Sequence, residues 1–273
     1  MPSVVWQVPG DDRGLAYGDG VFETILVRCG QPFLKYLHLR RLCQGAAALG
    51  ISCPESFIDA VIQNAVSQQP NRERWVLKLM LTRGSGGRGY RPSDPSHPRL
   101  LVSAHEVPPV PHVPVSVGLS AEPVLTGSSM DGYKHLSRLS QVQASRQFRP
   151  GLFEMIMPDA NGRLVEGTRS NLLMAWDNQW ITPPMRSLAV RGVMLDAVIS
   201  MLRSEGQAVR ERPLAPADIV SPRFGGMAIM NSVFGVVPVQ KLETIELPQA
   251  DSIARIASCC FEMDSDLSGN SLP

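Results

Sequence analysis

Apolar and polar positions alternate through Val21–Cys29 (VFETILVRC), as in a half-buried strand. The spacing then lengthens to that of a helix through LHLRRLCQGAAALG, which ends on Gly50. A second helix is predicted over Glu55–Gln69, then a strand at RWVLKLMLTRG and, beyond a glycine-rich stretch, a return strand at RLLVSAHEV. After the proline-rich VPPVPHVP, the pattern predicts a strand at VSVGLSAEP and an amphipathic helix at HLSRLSQVQASRQF. FEMIMPDANGRLVEG reads as a hairpin turning at Asn161-Gly162. Strands at NLLMAWD and QWITPP precede a helix from about Gly192 to Ser204. FGGMAIMNSVFGVVPV supplies further strand, and DSIARIASCCFEM a last helix.

This mixture is an α/β (α+β) fold class. A chain of 273 residues is long enough for one large or two medium domains. VPPVPHVP is too rich in proline for a helix or a central strand and reads as a semi-rigid connector. It divides the chain into a smaller N-terminal α/β domain (1–108), a linker (109–114) and a larger C-terminal domain (115–264). The polar residues 265–273 are expected to be a disordered tail.

The net charge of +1, with no run of like charge, argues against a nucleic-acid binder. Five cysteines without CxxC spacing argue against both a disulfide framework and a metal centre, and fit a reducing compartment. Neither a leader-like N-terminus nor an apolar run of membrane-spanning length is present, so a cytoplasmic protein with no membrane contact is expected.

RGSGGRGYRP, from Arg83 to Pro92, admits three readings: a nucleic-acid arm, a phosphate cradle, or a loop for an anionic substrate. The charge balance disfavours the first. The second lacks the GK[ST] ending of a P-loop and a clear following helix.

Lysines are scarce: Lys35, Lys78, Lys134 and Lys241. Lys134 stands in DGYKHLSRL, after small residues at the foot of a predicted helix, where an amine can act as a nucleophile; an ordinary solvated lysine has the same local pattern. Glu166, at a strand end before Gly167, could hold a heterocyclic nitrogen protonated or face water in a turn. Gly192 begins a helix whose free N–H groups suit a phosphate, though any helix starts so. Arg41 in HLRRL could be a phosphate fork or a solvated helical arginine. Together, an amine, a carboxylate, an arginine and a helix N-terminus are what pyridoxal 5′-phosphate requires.

The ordered set GLAYGDGVFET, HLRRL, RGSGGRGY, YKHLSRLSQV, VEGTRSNLL, TPPM…RGVM and MNSVFGVVPV, spanning about Gly14 to Val239, resembles the fold type IV pyridoxal-phosphate enzymes and, within them, the aminodeoxychorismate lyases. The resemblance implies a two-domain protein with the cofactor at the domain interface, usually a homodimer. It makes Lys134 the Schiff-base lysine, Glu166 the partner of the pyridine nitrogen and Arg41 the phosphate arginine. Backbone groups of Val193 and Met194 and the Ser232 hydroxyl complete the phosphate cup. The implied substrate, 4-amino-4-deoxychorismate, carries two carboxylates, which Arg83 and Arg88 could contact. Branched-chain and D-amino-acid transaminases share the lysine, glutamate and arginine and are the alternative.

Overall fold

The structure is a computed structural model and describes residues 8–92, 94–177, 179–184 and 190–259. The expected tail at 265–273 lies outside these. Two compact units divide the chain, residues 1–107 with 133–137 and residues 108–132 with 138–273.

In the first unit, α1 (Arg13–Tyr17), β1 (Gly20–Arg28) and β2 (Gln31–Pro32) are followed by α2 (Lys35–Ala48), α3 (Glu55–Ser67), β3 (Arg74–Thr82) and β4 (Arg99–His105). The strands form an antiparallel sheet in the order β2-β1-β3-β4. Trp75, Leu77, Leu79 and Leu81 are buried along β3 at a period of two, and Ile58 and Ile62 meet the same core from one face of α3. Complete burial of each of these isoleucines is worth about 2 kcal/mol. The short α1 had no periodicity to announce it. Its start is fixed by Asp12, which accepts from Gly14 N at 2.9 Å, and its end by Gly18 at φ 69°.

The second unit contains β5 (Val115–Leu119), α4 (Leu139–Ser145), β6 (Leu152–Pro158), β7 (Leu164–Gly167), β8 (Asn171–Trp176) and β9 (Gln179–Thr182). It continues through α5 (Val193–Ser204), β10 (Val209–Glu211), β11 (Phe224–Asn231), β12 (Gly235–Leu242), β13 (Ile245–Glu246) and α6 (Asp251–Cys259). Its strands run β10-β9-β8-β11-β12-β5-β6-β7, and β7 pairs back to β8, which closes the path from β8 to β7 into a ring. Val117, Ile156, Leu172, Met174, Met227, Ile229, Val237 and Val239 are buried in its core. Every residue of β8 is buried, which explains why NLLMAW reads as a continuous apolar run instead of an alternation.

Two expectations change. The helix foreseen across HLSRLSQVQASRQF is confined to α4, and residues 133–137 group with the first unit, although the chain after 115 was assigned to one C-terminal domain. The late start of α4 and the regrouping of 133–137 have one cause. Phe22 N donates to Lys134 O at 3.0 Å and Leu136 N to Gly20 O at 2.9 Å, so this segment spends its backbone groups on β1 and cannot be helical. Among the described residues, no helix is long and apolar enough to cross a membrane.

Candidate active site

In the first unit, the pairing with β1 fixes the backbone from Lys134 O to Leu136 N, and the Lys134 ammonium stands 4.2 Å from the centre of the Phe22 ring. The next residue of β1, Glu23, points to the opposite face and is buried. Its carboxylate accepts from Arg41 Nε at 2.7 Å, Arg41 Nη2 at 2.6 Å and His38 Nδ1 at 2.6 Å. His38 and Arg41 are three apart on α2 and therefore share a face. Burial alone would raise the Glu23 pKa, but the Arg41 charge and the His38 contact outweigh it and hold it at about 2. Burial pushes His38 below the ordinary histidine value against the pull of Glu23, so the ring is neutral at pH 7, with Nδ1–H donating. Its Nε2 is buried with no hydrogen-bond partner among the described residues. Arg41 is thereby held as an oriented fork with 13% of its side chain exposed.

The two arginines of the glycine loop differ. Arg83 is buried, with Nε and Nη2 donating to the Asp19 carboxylate at 2.7 and 3.0 Å and further bonds to the carbonyls of Leu49 and Gly50. That geometry makes it an anchor of the loop. Arg88 is exposed and has no polar partner among the described residues.

In the second unit, Glu166 near the end of β7 is 4% exposed. One carboxylate oxygen accepts from Val190 N at 2.9 Å and the other from the Gln141 amide of α4 at 3.4 Å. Helix α5 begins after Gly192, no side chain capping it among the described residues, and Val193 and Met194 supply its first N–H groups. A side chain at Gly192 would put its Cβ 1.8 Å from Asn171 Oδ1, so the approach of that amide requires glycine. Asn171 in turn holds the chain before the helix by donating to Val190 O at 2.8 Å. Ser232 follows Asn231, whose side-chain oxygen accepts from Val233 N and Phe234 N, both at 2.9 Å, in a turn that sets the serine just beyond β11.

The structure thus brings Lys134 and Arg41 into one unit, and Glu166, Val193, Met194 and Ser232 into the other. Sequence reasoning missed Glu23, His38, Asp19, Asn171 and Glu154. Glu154 is wholly buried and accepts from Thr168 Oγ1 at 2.6 Å, Thr168 N at 3.2 Å and Ser170 Oγ at 2.9 Å, which fixes the turn after Glu166. The available signal was a carboxylate inside an apolar strand, as in VFETIL and LFEMIM, since such a group must be paired.

Each unit carries donors that suit pyridoxal 5′-phosphate. In the second, a buried carboxylate suits a protonated pyridine nitrogen and an uncapped helix start suits a phosphate; in the first, a lysine amine suits the aldehyde.

Residues 20–242 match the family described as amino-transferase class IV. The chain is 31% identical over 242 residues to a putative branched-chain-amino-acid aminotransferase of Methanocaldococcus jannaschii, covering 85% of this chain and 81% of the other. It is 29% identical over 246 residues to the aminodeoxychorismate lyase of Vibrio harveyi, covering 88% and 89%. The crystal structure of 4-amino-4-deoxychorismate lyase from Pseudomonas aeruginosa matches with a TM-score of 0.89 at 30% identity, over 98% of each chain.

Proposed function

Because the chain belongs to the class IV aminotransferase family, whose enzymes use pyridoxal 5′-phosphate, we propose that it is a lyase converting 4-amino-4-deoxychorismate to 4-aminobenzoate and pyruvate, acting as a homodimer in the cytoplasm. The observation that carries this reading is the full-length likeness to the Pseudomonas aeruginosa lyase. The anchored glycine loop with its outward Arg88 supports it, since the substrate is a dianion.

The bound cofactor supplies an electron sink for a carbanion at the amine-bearing carbon. The Lys134 amine would hold the cofactor and, once displaced by the substrate amine, take the proton from that carbon. Glu166, a buried anion braced by Val190 and Gln141, would keep the ring nitrogen protonated. The N–H groups of Val193 and Met194, the Ser232 hydroxyl and the oriented Arg41 would bind the phosphate. Loss of the enolpyruvyl side chain as pyruvate leaves an aromatic ring, which drives the elimination. All atoms of the substrate appear in the two products, so no second keto acid is needed.

A transaminase of branched-chain or D-amino acids is the second reading. The 31% identity to the Methanocaldococcus jannaschii protein favours it. Incubating the holoenzyme with 4-amino-4-deoxychorismate and no keto acid separates the two. Equimolar 4-aminobenzoate and pyruvate over many turnovers support the lyase, and product formation that requires an added keto acid overturns it.

A further inference from the structure

The loop that carries Arg88 is anchored at Arg83, but its far half has little stiffness of its own. Gly84, Gly87 and Gly89 sit at φ 84°, 58° and 82°, in the left-handed region that glycine enters freely. At Gly84 the space is also closed, because a Cβ would lie 1.8 Å from His97 O, whereas Gly87 and Gly89 have open space around them. Those two glycines are therefore permissive joints flanking Arg88. Something else must fix them.

That fixing group is a guanidinium from far back in the sequence. Arg13 Nη1 donates to Gly89 O at 3.0 Å and more weakly to Gly86 O at 3.4 Å, and Nη2 donates to Tyr90 O at 2.7 Å. Its Nε donates to Asp19 Oδ2 at 2.9 Å, the oxygen that also accepts from Arg83 Nε. The Arg13 guanidinium lies 4.9 Å from the centre of the Tyr17 ring, which meets the Tyr90 ring edge-on at 5.5 Å. Only 3% of the Arg13 side chain is exposed, so these bonds are shielded from water. Burial would raise the Asp19 pKa, but Arg83 and Arg13 hold it below the ordinary value, so the carboxylate keeps its charge between them at neutral pH. Arg88 is bracketed in sequence by two of the carbonyls that Arg13 holds.

We propose that Arg13 is the positioning residue of this loop: its fork onto the carbonyls of Gly86, Gly89 and Tyr90 sets the stem from which Arg88 meets an anionic group of the substrate. Arg13 itself touches no substrate. Its effect is to remove in advance the ordering cost that a glycine loop would otherwise incur on binding. The inference rests on the substrate reading of the loop given above.

Arg13→Lys keeps the charge and loses the fork, and three readouts test it. In the lyase assay, Arg13→Lys and Arg88→Ala should each raise KM, by about tenfold or more for Arg88→Ala, with kcat within about threefold of wild type. The double variant should be little worse than the poorer single one, because Arg13 acts through Arg88. Chymotrypsin should also cut the folded Arg13→Lys holoenzyme faster after Tyr90, which is 86% exposed. Should Arg13→Lys fail to fold, Tyr17→Leu, at a 39% exposed position, removes the ring against both Arg13 and Tyr90 and should raise KM and cleavage in the same direction. An unchanged KM in a folded variant, or KM effects that multiply in the double variant, overturns the proposal. Proteolysis needs no substrate: faster cleavage together with no 4-aminobenzoate from wild type would overturn the lyase reading while upholding the clamp, whereas full lyase activity with unchanged cleavage would overturn the clamp alone.

Discussion

Glu23→Gln should destabilise the cofactor-free protein by up to about 3 kcal/mol at pH 8. The carboxylate is wholly buried between Arg41 and His38, and its pKa is lowered from 4.5 to about 2. At about 1.4 kcal/mol per pKa unit, that depression corresponds to about 3 kcal/mol of stability. An independent route agrees, since removing one member of a buried ion pair typically costs about 3–5 kcal/mol. For a depressed carboxylate the contribution is fully present above the unfolded value near 4.5 and is lost as pH falls through about 2; at pH 8, where His38 carries no charge, the attraction to Arg41 is what is measured and about 3 kcal/mol is its ceiling. His38, held below its ordinary value, is neutral there in both states. Urea unfolding followed by circular dichroism reads the difference. Adding Arg41→Met to Glu23→Gln should recover part of the loss, because no cation then lacks its partner. A cost below about 1 kcal/mol, the range of a surface pair, or a double variant no more stable than the single one, would show that Glu23 and Arg41 do not form a stabilising buried pair.

Lys134→Ala should abolish turnover and the near-visible absorbance of bound cofactor with the far-ultraviolet spectrum unchanged; normal activity would remove Lys134 from the site. Glu166→Gln should retain cofactor but lower kcat, by about a hundredfold if its charge acts as a preorganised electrostatic partner; an unchanged kcat would leave it a structural residue of β7. Gly192→Ala should weaken cofactor binding in a titration and cost about 1–3 kcal/mol in stability, because its Cβ would meet Asn171 Oδ1 at 1.8 Å; wild-type values in both would show that the helix start tolerates a side chain.

Most strands and long helices were legible because one face is the more deeply buried, and β8, buried throughout, because it is a continuous apolar run. β1, β3, α3 and α5 follow the periods of two and 3.6 that their buried residues impose. The mixed architecture, with its likeness to a fold type IV enzyme along the whole chain, agrees with the class read from the motifs. What escaped were features made by distant partners. The late start of α4 is set by backbone bonds from β1 to Lys134 and Leu136, which no local pattern encodes. Arg83 and Arg88 look alike in RGSGGRGY, yet Asp19, 64 residues from Arg83, makes one of them an anchor. Arg13 attracted no notice because its partners are carbonyls more than 70 positions away. Glu23 and Glu154 were visible as charges inside apolar strands, but the side chains that satisfy them come from α2 and from the turn after β7.

The most direct test of lyase against transaminase function is a comparison of kcat/KM for two reactions on one preparation of holoenzyme. The first is conversion of 4-amino-4-deoxychorismate to 4-aminobenzoate without any keto acid. The second is amino transfer to 2-oxoglutarate from D-alanine and, separately, from leucine. The lyase reaction should exceed both transfers by at least about tenfold, a preference of about 1.4 kcal/mol in transition-state stabilisation. A transfer reaction that equals or exceeds the lyase reaction would contradict lyase function.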